Sequence, residues 1–268
     1  MDPEDIPRRN PINPVDVLLI HPSPHQSTSN HYPLLSDGVY IQAVILAGGP
    51  GECLSPLTDT VPKPMVSIKG KPFLEHQLML LKEHGVTDFV LLTGHLPNII
   101  QEHFQDGAQF GIKIKYSAED TPLGTGGAIK NADKSIEKDF LLIDGDTLLI
   151  INYTTFIRFY CQNKYPVVMI TCNNRQGISP SNIFVDRDSM VTGYSKQNPV
   201  GMTHLDSGVL AINKKVFFKH MPNKPEFSFE QEVYPGLIRE HILRAYQTNV
   251  RFHEIGTPDP LNRIAELL

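Results

Sequence analysis

Ala43-Val44-Ile45-Leu46-Ala47 is an unbroken apolar run, and its β-branched members and length of about five residues predict a buried strand rather than a helix. The period then changes. Leu74, Leu78 and Leu81 recur at helical spacing behind Pro72, which predicts a helix with Pro72 at its first position and Gly85 at its end. Phe89-Val90-Leu91-Leu92 is a strand, Ile99 to Phe104 a second helix, and Gly111 to Tyr116 alternates as a strand should. A glycine-rich turn, Leu123 to Gly127, runs into a helix through Ala132. Phe140-Leu141-Leu142-Ile143 is another buried strand, ended by Asp144-Gly145-Asp146-Thr147. Strand and helix alternating in this way predict an α/β fold, a Rossmann-like, doubly wound and mostly parallel sheet with helices on both faces.

The second half has another rhythm. Val167 to Thr171, Asn182 to Val185, Val191 to Tyr194 and Gly208 to Asn213 are shorter strands with few helices between them, which predicts a smaller mixed lobe over the sheet edge. Phe227 to Glu240 is expected as a helix, Val250 to Ile255 as a last strand and Pro258 to Leu268 as a closing helix. Residues 1–39 differ from the rest: prolines at Pro3, Pro7, Pro11, Pro14, Pro22, Pro24 and Pro33 interrupt any regular element. They predict an irregular N-terminal arm, with a short strand at Val15 to Ile20, before a domain over 40–268. His21, His25 and His31 within the arm have the makings of a metal site, but a solvated tail is the favoured explanation.

Composition narrows the function classes. The 268 residues carry a net charge of -5, which gives no general electrostatic case for binding nucleic acid or an anionic membrane. No apolar run approaches the roughly 20 residues of a membrane span. The three cysteines, Cys53, Cys161 and Cys172, lack metal-type spacing and fit a reducing, cytoplasmic compartment.

The chemistry is concentrated in Ile41 to Met65. Gly48, Gly49 and Gly51 follow the first strand at once, and a turn without Cβ atoms lets backbone N–H groups approach an anion closely. Pro62-Lys63-Pro64 then places a lysine on what is expected to be a stiff extended segment. A Walker A loop is excluded, because no Gly-Lys-Ser/Thr follows. A dinucleotide fingerprint is disfavoured, because Leu54 stands where its third glycine belongs. Asp146 lies just past a buried strand, where ligands of doubly wound sheets collect, and suits Mg²⁺; an aspartate capping its own turn is the simpler alternative. Glu254 ends another apolar strand. Two such carboxylates, one Mg²⁺ and Lys63 would serve nucleotidyl transfer, in which a phosphate oxygen attacks the α-phosphorus of a nucleoside triphosphate and pyrophosphate leaves.

From residue 41 onward the chain resembles the sugar-1-phosphate nucleotidyltransferases. The motifs are LAGGPGECLSPLT, PKPMVSIKGKPFLEH, DTPLGTGGAIKNA, LLIDGDTLL, DSGVLAI and FHEIGTP, in that order. The resemblance is closest to short members acting on mannose-like, heptose or N-acetylmuramic acid 1-phosphates, which lack a C-terminal β-helix. It implies the nucleotide-diphospho-sugar transferase fold, an NTP and a sugar 1-phosphate as substrates, and Mg²⁺ as cofactor. It implies that Leu46, Ala47, Gly48, Gly49 and Gly51 bind the nucleotide, that Lys63 touches the reacting phosphates, and that Asp146 and Glu254 hold the metal. Glu119, Gly124 and Thr125 would line the base pocket; Lys196, Asp206 and Gly208 would face the sugar phosphate, with Glu230 nearby. A carboxylate at Glu119 would suit the paired N–H donors of guanine, which favours GTP, although an exposed strand-end acid looks the same in sequence. A homodimer is the expected assembly. Three positions depart from the family pattern: Glu52-Cys53 replaces Thr-Arg in the loop, Glu254 replaces aspartate, and Ser195 replaces glutamate. A thiol cannot reproduce arginine's phosphate clamp, so a degenerate relative that only binds nucleotide and regulates a partner is the alternative function.

Overall fold

The first apolar run forms β1 (Gln42–Ala47), and both of its faces are covered. In the structure, a computed structural model, the described residues are 39–51, 54–174, 177, 180–197, 200–256 and 264–268. The N-terminal arm with its expected strand and three histidines, the loop pair Glu52 and Cys53, and most of the expected closing helix lie outside them; 264–267 is helical.

After β1 come the two-residue strands β2 (Ser67–Ile68) and β3 (Lys71–Pro72), then α1 (Phe73–Glu83), β4 (Asp88–Thr93), α2 (Pro97–Phe104) and β5 (Lys113–Ala118). They are followed by α3 (Gly124–Asn131), β6 (Asp139–Asp144), β7 (Thr147–Leu148) and α4 (Tyr153–Asn163). The second half holds β8 (Val167–Asn173), β9 (Ile183–Val185), β10 (Val191–Tyr194), β11 (His204–Asn213) and α5 (Lys214–Lys219). It ends with α6 (Phe229–Glu232), α7 (Tyr234–Arg239), β12 (Leu243–Thr248) and β13 (His253–Glu254).

Nine strands form one sheet in the order β10-β9-β11-β6-β1-β4-β5, with β8 paired to β11 and to β12. The half from β6 through β1 and β4 to β5 is parallel throughout. The long β11 runs antiparallel to β6, β8 and β9, and so joins the mixed lobe to the parallel half. This is the expected α/β architecture. Ala43, Ile45 and Ala47 of β1 pack into the core layer beneath α1, α2 and α4. Val44 packs into the opposite layer, with Phe140 and Leu142 of β6 and residues of α3, α6 and α7. Burial on both faces is why the strand reads as continuous rather than alternating.

Several boundaries differ from expectation. Pro72 caps α1 instead of occupying its first helical position. The helix expected over Phe227 to Glu240 is two short ones that meet at Val233, because Pro235 in the first turn of α7 has no N–H for a continuing ladder. The strand expected over Val250 to Ile255 is only β13, whereas β12, not foreseen, pairs parallel with β8. Helix α4 was also missed, although Asn152 caps it by accepting from Thr155 N at 2.9 Å. Among the described residues no helix is long and apolar enough to cross a membrane.

Candidate active site

A cleft of about 590 Å³ opens at the carboxyl ends of β1, β4 and β6, where a doubly wound sheet presents its loops. One wall is the turn after β1: Leu46, Ala47, Gly48, Gly49 and Pro50 all line it. Two carbonyls of this turn are committed to protein. Gly48 O accepts from His95 N at 3.0 Å, and Gly51 O accepts from Leu54 N at 2.9 Å and Thr58 Oγ1 at 2.8 Å. The N–H groups of Gly49 and Gly51 have no protein acceptor among the described residues. Carbonyls tied back and amides left free are what an anion-binding turn requires. Gly51 has φ +69°, and a Cβ there would lie 2.8 Å from Lys63 Cβ, so the turn closes onto the lysine only because residue 51 lacks a side chain.

Lys63 was expected on an extended segment. Pro62 is extended, at ψ 143°, but Lys63, Pro64 and Met65 form one 3₁₀ turn, in which the missing N–H of Pro64 costs no hydrogen bond. The turn aims Lys63 into the cleft, where Nζ donates to Asp146 Oδ2 at 2.6 Å. Asp146 follows Gly145, whose N–H donates to Leu46 O at 3.0 Å; a Cβ on Gly145 would lie 2.4 Å from that carbonyl oxygen. The Asp-Gly-Asp turn is thus fixed by β1 rather than by self-capping. Glu254 lies opposite Thr147 in the antiparallel β7–β13 pair, and Ile255 N donates to Asp146 O at 2.9 Å, so the two strand ends carrying the expected metal carboxylates are hydrogen-bonded neighbours. Glu254 is exposed by surface area but lies among surrounding protein groups dense enough to desolvate its carboxyl. That crowding, with the repulsion of Asp146, raises its pKa, against the attraction of Lys63.

The opposite wall is built by α3. Gly124, Thr125 and Ala128 line the cleft, with Glu119 to Pro122 before them. Glu119 Oε2 accepts from Leu123 N at 3.2 Å, and partial burial raises its pKa. Thr125 Oγ1 donates to Glu230 Oε2 at 2.7 Å, and Lys196 Nζ lies 4.0 Å from Glu230 Oε1. The side chains expected at the base and at the sugar phosphate therefore meet in one network. Asp206 lies behind them; it accepts from Gly208 N at 3.0 Å and from Tyr234 OH at 3.1 Å, and burial raises its pKa.

Of the expected site residues, Leu46, Ala47, Gly48, Gly49, Lys63, Glu119, Gly124, Thr125, Asp146, Lys196 and Glu230 line the cleft. Gly51, Asp206, Gly208 and Glu254 adjoin it as supports for its walls. Three residues were missed. Asp144, at the end of β6, lines the floor. Burial raises its pKa well above the usual range, with Asp146, Asp206 and Glu230 adding repulsion. His95 lines the rim and ties two walls together, its Nε2 lying 3.2 Å from Thr58 O. Gln77, buried in α1, donates to Asp144 O at 2.8 Å and Thr147 O at 2.7 Å, and so brackets the carboxylate turn. The signal for Gln77 was available: an amide lies on the same helical face as Leu74, Leu78 and Leu81.

Comparison with known proteins agrees with this geometry. The family model described as nucleotidyl transferase matches residues 42–181. The chain is 32% identical over 223 residues, 82% of its length and 96% of the relative's, to D-glycero-alpha-D-manno-heptose 1-phosphate guanylyltransferase of Campylobacter jejuni. It is 30% identical, over 82% of its length and 94% of the relative's, to the protein of the same name from Aneurinibacillus thermoaerophilus. Among solved structures, HddC from Yersinia pseudotuberculosis complexed with GMP-PN superposes with a TM-score of 0.72 at 30% identity, covering 85% of this chain and 99% of that one. The chain belongs to the nucleotidyl transferase family. It is a nucleotidyltransferase enzyme with the nucleotide-diphospho-sugar transferase fold.

Proposed function

We propose that the protein joins the nucleoside monophosphate part of GTP to a manno-configured sugar 1-phosphate, a heptose or mannose phosphate, and releases pyrophosphate. The observation that carries this reading is the Lys63–Asp146 pair at 2.6 Å, set beside a turn whose Gly49 and Gly51 amides have no acceptor among the described residues. The guanylyltransferase names of two relatives and the GMP-PN bound to a third support the choice of base and sugar.

The donor set is consistent with Mg²⁺. Asp146 and Glu254 offer carboxylate oxygens from paired strands. Among the described residues no group of three or more His, Cys, Asp or Glu side chains could hold a metal by itself. Mg²⁺ commonly takes one or two carboxylates and completes its shell with substrate phosphates and water, so two suffice. When bound, it would neutralise charge spreading over the transferring phosphoryl group. The protein's own groups do the rest. The amides of Gly49 and Gly51 hold the triphosphate, Lys63 exchanges Asp146 for phosphate oxygens, and Glu119 accepts the N–H donors of guanine. Glu230 and Lys196 hold the sugar 1-phosphate so that its phosphate oxygen faces the α-phosphorus in line. That nucleophile is already an anion, so no general base is required.

The test is pyrophosphate release from the four common NTPs crossed with a panel of sugar 1-phosphates and Mg²⁺. GTP with mannose 1-phosphate or a manno-heptose 1-phosphate should be fastest. No release with any pair, together with measurable nucleotide binding, would favour a binding protein instead.

A further inference from the structure

Asp144 is the residue of the cleft that the reaction just described does not use. It lines the cleft together with Asp146, Glu230 and Lys196. No donor among the described residues hydrogen-bonds to its carboxylate, whereas Asp146 has Lys63, Glu230 has Thr125 and Ser228, and Asp206 has Tyr234 and the N–H of Gly208. Asp144 is partly exposed to the cleft, so in the free protein its carboxylate is hydrated from that side, and a ligand that covers it has to supply a donor in place of the water.

The surroundings make room for this side chain. β11 bulges between Asp206 and Leu210, and Gly208 in that bulge has φ +69°. A Cβ on Gly208 would lie 2.5 Å from Asp144 Oδ2, so any other residue would push the carboxylate from its place. From the other side Gln77 holds the backbone of Asp144 through its carbonyl. Two local devices thus position a group that has no hydrogen-bond donor among the described residues.

We propose that Asp144 is a specificity-determining residue whose carboxylate accepts a hydrogen bond from a ring hydroxyl of the sugar 1-phosphate. This rests on the reading that the cleft binds a sugar 1-phosphate, and adds to it which residue selects the sugar. An acceptor with no protein donor favours a sugar with a hydroxyl pointing at it and disfavours the analogue without one, because that analogue displaces water from the carboxylate without replacing its hydrogen bond.

The test compares the full-length wild type with Asp144→Ala and Asp144→Asn. GTP is held saturating, and mannose 1-phosphate or manno-heptose 1-phosphate, whichever turns over faster, is set against its monodeoxy analogues. In the wild type one analogue should lose on the order of 10- to 100-fold in kcat/KM. In Asp144→Ala the same analogue should lose less than about threefold, since the partner of the missing hydroxyl is already gone. Asp144→Asn, which keeps an acceptor oxygen, should retain part of the discrimination. KM for GTP should stay within about twofold in both variants, which also reports that they are folded. Equal discrimination by wild type and Asp144→Ala would overturn the role of Asp144 alone. A wild type that turns over no sugar 1-phosphate would overturn it together with the proposed function.

Discussion

Lys63 and Asp146 form the shortest ion pair of the cleft, at 2.6 Å, with the two side chains 17% and 35% exposed. At that exposure the pair adds little to stability, so its place at the cleft mouth has to be explained by chemistry. One oxygen of Asp146 is held by Lys63 and the other lies 3.4 Å from Thr147 Oγ1. Asp146→Asn keeps the size and one acceptor oxygen but removes the charge. Turnover should fall on the order of a hundredfold or more, while the thermal midpoint stays within a few degrees. Near-normal turnover in a steady-state assay would remove Asp146 from the reacting centre. Both residues were legible in the sequence because each lies in a short pattern with a mechanism: a lysine between prolines, and an aspartate past a buried strand. Asp144, His95 and Gln77 were not. Asp144 stands in the same triplet as Asp146, and only the approach of Gly208 gives it a separate place. His95 acts through backbone partners 37 and 47 positions away, a relation that spacing along the chain cannot reveal.

At the scale of elements, the cleft depends on how closely α3 approaches the segment before α6. Gly126 N and Gly127 N both donate to Phe227 O, at 2.9 and 3.2 Å. A Cβ on Gly126 would lie 2.2 Å from the buried ring of Phe227. One on Gly127 would meet Pro225 O at the same distance. The glycines that look like a phosphate turn in sequence are, at these two positions, packing residues that let α3 present Gly124 and Thr125 to the cleft. Gly126→Ala should cost about 1–3 kcal/mol by overpacking, despite alanine's higher helix propensity. It should also raise KM for the nucleotide. A calorimetric midpoint equal to that of the wild type would show that Phe227 yields without cost. The parallel half of the sheet was legible because its strands are buried on both faces and read as plain apolar runs. Helix α4 was not, because Phe156, Ile157 and Tyr160 are interleaved with threonine, arginine and cysteine, and the cap at Asn152 was the clearer signal. Strand β12 was hidden because its alternation is short and broken: Leu243 and Ala245 are buried, but Gln247 on the same face is exposed, and Arg244 and Tyr246 are partly covered.

Across the whole molecule, a modest net charge of -5 conceals an uneven distribution. Asp144, Asp146, Asp206, Glu230 and Glu254 gather around one cleft, against Lys63 and Lys196. Asp144, Asp206, Glu254 and Glu119 all have raised pKa values, with burial the first cause in each. For an acid raised on folding, the unfolded chain releases its proton at lower pH than the folded protein does. The stability contributed by the neutral form is full below the ordinary carboxylate range and is lost as pH rises through the folded value. At neutral pH these groups therefore oppose folding, a cost of the kind that functional sites impose on their scaffolds. Asp206 isolates the effect, since it adjoins the cleft without lining it. Asp206→Asn keeps an oxygen for Gly208 N, and the Tyr234 hydroxyl can turn to accept from the new amide. In the ligand-free protein the variant should unfold several degrees above wild type at pH 7.5, since each kcal/mol moves the midpoint of a domain this size by roughly 2–4 °C. The difference should shrink as pH falls through the raised value of Asp206, where the wild-type carboxyl takes up its proton. A gap that is constant with pH, measured by scanning calorimetry in the same buffers, would mean that Asp206 is already paired well enough to stay charged, and that Lys196 and the two donors outweigh its burial.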